Sequence, residues 1–384
     1  LFILVSSCVG SFTHAQGKQL LVADRLSNSV YRYDSDGTFL NKVLTDNTNL
    51  NQPTGIAISP DQTKLYVSSF QTARVIQYDY DVTSGTATNG QVFATANLAS
   101  PNAIRFSHSG DTIYVSNLGG TGVAQFNLDG STAGPPINGV IGAPTGGGMG
   151  DIFQYAGLEF TPSGELLVGG FQNFPGGNMG AIAKSNAAIS EISTFIDSST
   201  SLNGASGLLV HDGDLYVSGM FASNIQRFDV STGALDPSFL VSGLAFPQQL
   251  SLAPDGNGFL AGILGVANGE GHIAHYDFDG NLVGDGIFAN NVSISGVGFT
   301  EATAFAYVMP NLPGDFNGDG NVDGRDFLSW QRGDSFNPLS ASDLADWQAN
   351  YGQPTLGSAV GVPEPTAVVI LLSVLLAGGV HRRA

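Results

Sequence analysis

One stretch of this chain groups oxygen donors at regular spacing. Counting Asp315 as the first position of a loop, Asp315, Asn317, Asp319, Asn321, Asp323 and Asp326 fall at positions one, three, five, seven, nine and twelve. Gly320 takes position six, where such a loop turns sharply, and Val322 supplies an apolar plug between ligands. Asn321 would contribute its backbone carbonyl, the others side-chain oxygens. Hard oxygens converging from one tight loop are the chemistry of Ca²⁺, which takes about six to eight of them. One calcium site is therefore expected here.

A weaker copy of the same unit lies 17 residues on. Asp343, Trp347 and Gln348 repeat Asp326, Trp330 and Gln331, but Arg332 and Phe336 occupy the first and fifth loop positions. Asn337 replaces the turn glycine. A cation and an aromatic ring cannot ligate calcium, so a second site is not expected.

Elsewhere the candidates thin out. An enzymatic site would require a convergent acidic cluster at the axis of a repeated fold, for instance around Asn102, Asp151 and Glu159. His272 and His275, three apart on one strand, would point to opposite faces. No nucleophile, base and orienting group stand out together. The single Cys8 lies at the N-terminal end, so disulfides do not hold the fold.

The elements positioning these groups repeat. The unit PTGIAISPDQTKLYVSSFQTARVIQYD, from Pro53 to Asp79, returns as PNAIRFSHSGDTIYVSNLGGTGVAQFN from Pro101 to Asn127 and three times more in shorter form. Second strands begin near Leu21, Leu65, Ile113, Leu166, Leu215 and Phe259, with a seventh at Phe305, at spacings of about 44 to 53 residues. Short Val, Ile, Tyr and Phe runs broken by Asp129-Gly130, Asp255-Gly256 and Asp279-Gly280 turns read as antiparallel strands. Four strands per unit predict an all-β propeller. First strands near residues 55, 103, 157, 207, 249 and 297 favour six blades, with seven as the alternative. Closure is expected by Leu20 to Val43 completing the blade begun near Val297. Long insertions at Gly130 to Tyr155 and Asn173 to Gly180 would form loops at a rim. Phe70, Phe171 and Phe221, recurring after second strands, read as core between blades.

The two ends read as addresses. Leu1 to Val5 are apolar and Thr13-His14-Ala15 is a small-x-small site, so the sequence is expected to begin inside a signal peptide cut after Ala15. Val5 to Cys8 alternatively reads as a short lipoprotein box. Near the other end, Val362-Pro363-Glu364-Pro365-Thr366 precedes the uncharged run Ala367 to Val380 and then His381, Arg382 and Arg383. A helix over that run would rise about 21 Å, short of the roughly 30 Å hydrocarbon core.

Three resemblances follow from these motifs. The tail resembles the PEP-CTERM sorting signal, which implies processing by an exosortase-type enzyme and transient or retained anchoring in the inner membrane. The repeats resemble NHL, YVTN and SMP-30/gluconolactonase-like propellers, which implies a central channel and, for the lactonases, one divalent metal held there by Glu, Asn or Asp. The Asp315 loop with Phe327, Leu328 and Trp330 resembles a dockerin type I half-repeat with Asp326 in place of the EF-hand Glu, which implies docking to a cohesin-like protein. The resulting division is a leader at 1–15, propeller at 16–309, linker at 310–313, dockerin-like module at 314–353, linker at 354–361 and sorting helix at 362–384.

The charge balance, 13 Lys and Arg against 32 Asp and Glu, disfavours non-specific binding to nucleic acid or anionic lipid. The expected function is that of an exported or cell-surface calcium-binding propeller with a binding or structural role. Its partner would be a protein or an extracellular polysaccharide. The alternatives are an SMP-30-like lactonase or polysaccharide-associated hydrolase, and dockerin-mediated assembly of the propeller onto a scaffold.

Overall fold

A computed structural model describes residues 18–120, 122–139, 154–174, 177–197, 202–265, 271–308, 314–316, 322–333, 335 and 339–352. The expected leader, both linkers and the sorting tail lie outside these residues. Among the described residues no helix is long and apolar enough to cross a membrane.

Among the described residues, twenty-three strands form six antiparallel sheets. The chain enters through β1 (Gln19–Asp24), β2 (Ser29–Tyr33) and β3 (Phe39–Thr45). Two further sheets follow: β4 (Pro53–Ile58), β5 (Lys64–Ser69), β6 (Arg74–Asp81) and β7 (Thr86–Ala94), then β8 (Pro101–Phe106), β9 (Thr112–Asn117) and β10 (Ala124–Asn127). The next comprises β11 (Gln154–Phe160), β12 (Leu166–Phe174), β13 (Gly177–Ser185) and β14 (Ile192–Ile196). The fifth comprises β15 (Ala205–His211), β16 (Asp214–Gly219), β17 (Asn224–Asp229) and β18 (Leu235–Ser242). The last complete run is β19 (Pro247–Leu252), β20 (Phe259–Ile263), β21 (His272–Tyr276) and β22 (Leu282–Asn290). A single helical turn α1 (Val292–Ser295) leads to β23 (Ala302–Val308), which pairs with β1 and closes the ring.

The molecule is thus a six-bladed β-propeller, and the closure differs from the expected one in detail. Phe305 sits in the innermost strand of the closing blade, not in a seventh second strand. The blade opens at Ala302, whereas Val297 lies in the preceding loop and is exposed. Burial explains the difference: β23 is walled by neighbours along most of its length, and Phe305 packs with Leu20, Val22 and Phe299.

Second strands such as Leu65–Ser69 are buried on both faces between adjacent blades, which accounts for their continuous apolar and small residues. Outer strands such as β18 alternate exposed and buried positions. Among the described residues the third blade has three strands. Its outer edge is covered by residues 131–139 through the isolated pairs Val123–Ile137 and Phe126–Thr132. Pro135 and Pro136 have no N–H to donate, so this segment cannot form a full ladder. The expected rim loop at Asn173 to Gly180 is instead a hairpin, with Asn173 paired to Asn178 and Phe174 to Gly177. The Asp129-Gly130 turn forms as expected: Gly130 has φ +83°, and a Cβ there would lie 2.2 Å from the Phe93 carbonyl.

Two helices follow, α2 (Gly324–Arg332) and α3 (Ala341–Asn350), lying against each other.

Candidate functional site: the central channel and the acidic loop

The inner strands β4, β8, β11, β15, β19 and β23 stand around one axis. One residue near the start of each forms a ring, the second of its strand except in β11, where it is the third: Thr54, Asn102, Ala156, Ser206, Gln248 and Thr303. Four of these side chains reach to the next blade. Thr54 Oγ1 donates to the Pro101 carbonyl at 2.8 Å and Asn102 Nδ2 to the Ala156 carbonyl at 3.1 Å. Ser206 Oγ donates to the Pro247 carbonyl at 3.0 Å, and Thr303 Oγ1 to the Pro53 carbonyl at 2.9 Å.

The serines of the second strands reinforce the same contacts. Ser68, Ser116 and Ser218 donate to the carbonyls of Asn102, Ala156 and Gln248 at 2.7, 2.5 and 2.6 Å. Where serine is replaced by Gly169, the next blade comes so near that a Cβ would lie 2.9 Å from the Ala205 carbonyl. The repeated YVS motif is therefore a device for joining blades.

The channel holds two chambers. A polar one, about 20 Å³, is lined by Thr54, Asn102, Ser206, Gln248 and Thr303 of the ring together with Arg105 and Gln249. A larger one, about 290 Å³, lies toward the hairpin-turn ends of the inner strands, and Arg105 and Gln249 line it as well. Arg105 sits 3.6 Å from the Glu159 carboxylate at this junction. Glu159 also accepts the N–H of Phe160 at 3.0 Å.

The sequence grouped Asn102, Asp151 and Glu159. Asn102 is in the ring, Glu159 is in the larger chamber, and Asp151 lies outside the described residues. The cation Arg105, which shares both chambers, was missed; its place at the fifth position of an inner strand was the available signal.

The lactonase resemblance implies a divalent metal in this channel, and the described ring does not fit one. Its side chains are neutral, three hydroxyls donate to carbonyls, and a guanidinium lines the same chamber. Among the described residues no three His, Cys, Asp or Glu side chains stand close enough together to hold a metal.

Two histidines have packing roles. His211 stacks on Phe278 with ring centroids 4.1 Å apart, and His108 lies 5.1 Å from Phe160. Phe171 is buried and meets Phe221 edge-on at 5.2 Å, in keeping with core between blades.

In the acidic loop, Asn317, Asp319 and Asn321 lie outside the described residues. Asp315, Asp323 and Asp326 are described. Asp326 is wholly buried: its Oδ1 accepts the Phe316 N–H at 2.8 Å and its Oδ2 the Asp323 N–H at 2.7 Å. Asp323 caps α2 by accepting the Arg325 N–H at 2.7 Å. Asp315 is buried too, and Val322 is buried as the expected plug. Burying two carboxylates in one short loop is costly unless a cation and hydrogen bonds compensate. The three described carboxylates do not by themselves stand close enough together to hold a metal, so a Ca²⁺ site here would need Asn317, Asp319 and Asn321 as well.

Six blades, a channel and closure of one blade by both ends of the domain define the class: a six-bladed β-propeller. Residues 8–134 match the family described as "SMP-30/Gluconolactonase/LRE-like region". No curated protein matches the chain. Among solved structures, one in a nidogen/laminin complex is similar at 12% identity and TM-score 0.52, covering 77% of this chain and 100% of its own. A putative 6-phosphogluconolactonase from Bacteroides uniformis is similar at 13% identity and TM-score 0.52, covering 76% and 100%. Another from Bacteroides fragilis is similar at 15% identity and TM-score 0.50, covering 76% and 98%. At such identities the likeness concerns fold alone.

Proposed function

We propose that this chain is an exported, cell-surface or extracellular calcium-binding propeller with a binding or structural role. The observation that carries the reading is the axial ring: its polar side chains engage the backbone of neighbouring blades, and a guanidinium shares their chamber. Calcium belongs to the loop, held by Asp315, Asn317, Asp319, the Asn321 carbonyl, Asp323 and Asp326. Bound there, the ion rigidifies a module between the propeller and a sorting tail, which an exosortase-type enzyme processes at the inner membrane. Support comes from the buried Asp315 and Asp326 and from the motif at residues 362–384. A cohesin-like protein or an extracellular polysaccharide is the partner class. Calcium titration of the intact chain tests the reading: one ion per chain, lost on Asp326→Ala, is expected, and no calcium binding contradicts it.

A second reading, an SMP-30-like lactonase, is favoured by the family match at residues 8–134 and by Glu159 in the channel. Lactone hydrolysis that depends on a divalent metal and on Glu159 would establish it in place of the first.

A further inference from the structure

The larger chamber of the channel has the build of a ligand site that neither the calcium loop nor the blade-joining ring explains. All six inner strands contribute to it. Its walls are mainly apolar, with Ile56, Ile58, Phe106, Leu209 and Phe305 among them. Its volume, about 290 Å³, lies at the small end of ordinary ligand sites.

The polar groups converge at one end. Arg105 donates Nη1 to the Ile104 carbonyl at 3.0 Å and stands 3.6 Å from Glu159, well beyond the 2.7–2.9 Å typical of a charge-assisted hydrogen bond. A guanidinium has five N–H donors, so donors remain toward the junction of the chambers. Gln249 lines that junction as well. The adjoining polar chamber contains the buried Nε2 of Gln248, which has no hydrogen-bond partner. At about 20 Å³ that chamber has room for little beyond a water molecule. Tyr307 is already engaged, its hydroxyl donating to the Leu252 carbonyl.

Spare donors at one end of an apolar chamber select an acceptor group on an apolar body. We infer that this chamber binds a small monocarboxylate with an apolar body, such as a short acyl chain or a single aromatic ring, its carboxylate turned to Arg105. Glu159 sets the affinity: its charge competes for Arg105 and repels the ligand. The inference deepens the binding reading proposed above and rests on the channel being non-catalytic.

The test is calorimetric titration of the full chain with hexanoate, benzoate and hexanol, together with calcium in the same samples. The expected result is saturable hexanoate binding at one per chain, without turnover. Arg105→Met should weaken hexanoate at least tenfold and leave hexanol nearly unchanged, whereas Glu159→Gln should tighten hexanoate several-fold. Ala306→Phe, which fills the chamber, should abolish both; if its melting shows it unfolded, Ser251→Phe replaces it. Absence of hexanoate binding to the native chain, or binding indifferent to both Arg105→Met and a filled chamber, overturns the inference. Calcium binding at the loop without hexanoate binding sinks this inference alone. Turnover of a lactone in the channel would sink the reading beneath it.

Discussion

The indole N–H of Trp347 donates to the carbonyl of Asp323 at 2.7 Å, tying α3 to the residue that caps α2. Trp330 returns the contact, donating to the carbonyl of Ser340, the cap of α3, at 3.0 Å. The decayed copy thus keeps the architecture of the pair while its ligand positions have changed. Gly352 adds a third tie through its N–H to the Val322 carbonyl at 2.8 Å. Trp347→Phe should destabilise the module by about 1 kcal/mol, the net worth of one such bond. Both tryptophans of the chain lie here, so tryptophan fluorescence in a urea titration reads the module selectively.

Calcium should raise the urea midpoint of the same fluorescence transition, because a ligand that binds only the folded form stabilises it by mass action. Asp326→Ala should remove that shift. Asp343→Ala should leave the stoichiometry at one ion, since Arg332 and Phe336 stand where the second loop needs oxygen ligands. Chelation should return the midpoint to its metal-free value.

Asp24 holds the two ends of the propeller together. Its fully buried carboxylate accepts the N–H groups of Thr300 at 2.9 Å and Glu301 at 2.8 Å and the hydroxyl of Ser27 at 2.5 Å. The Arg25–Glu301 ion pair, at 2.7 Å, lies beside it. Asp24→Ala removes the acceptor of three backbone donors, Leu26, Thr300 and Glu301, and should cost about 3 kcal/mol, read from thermal unfolding followed by far-ultraviolet circular dichroism. Asp24→Asn, which keeps one acceptor, should cost less.

Acid should loosen the blade edges. Hydrogen bonds from Ser238, then the Arg227 guanidinium, hold the Asp236 carboxyl at about 2; Ser231 and Thr232 do the same for Asp229. A carboxyl held below its unfolded value, about 3.9, adds stability above that value. The gain disappears as pH falls through the folded value. The melting temperature should therefore drop between about pH 4 and pH 2. Asp236→Asn should flatten that slope, and a slope unchanged by it would refute the assignment.

The propeller was legible because each blade repeats its own hydrophobic pattern, and local strand signals survive repetition. The closing strand was not: Ala302–Val308 has the apolar run of a second strand, and only its pairing with β1 reveals it as an inner one. The acidic loop could be proposed as a calcium site from sequence because its candidate ligands are contiguous. The axial ring was only partly legible, since it draws one residue from each of six distant strands. Thr54, Ser206 and Gln248 look alike as turn residues and as channel residues until the ring closes. Arg105 became significant only through a neighbour, Glu159, that lies a blade away.

The proposal that calcium belongs to the loop is tested by anomalous diffraction from crystals of the chain grown with calcium. One ion is expected, within Asp315–Asp326, and none in the ring of Thr54, Asn102, Ser206 and Thr303. A cation in that ring, held by several oxygens with a coordination position left open, would contradict it and make the channel a catalytic centre.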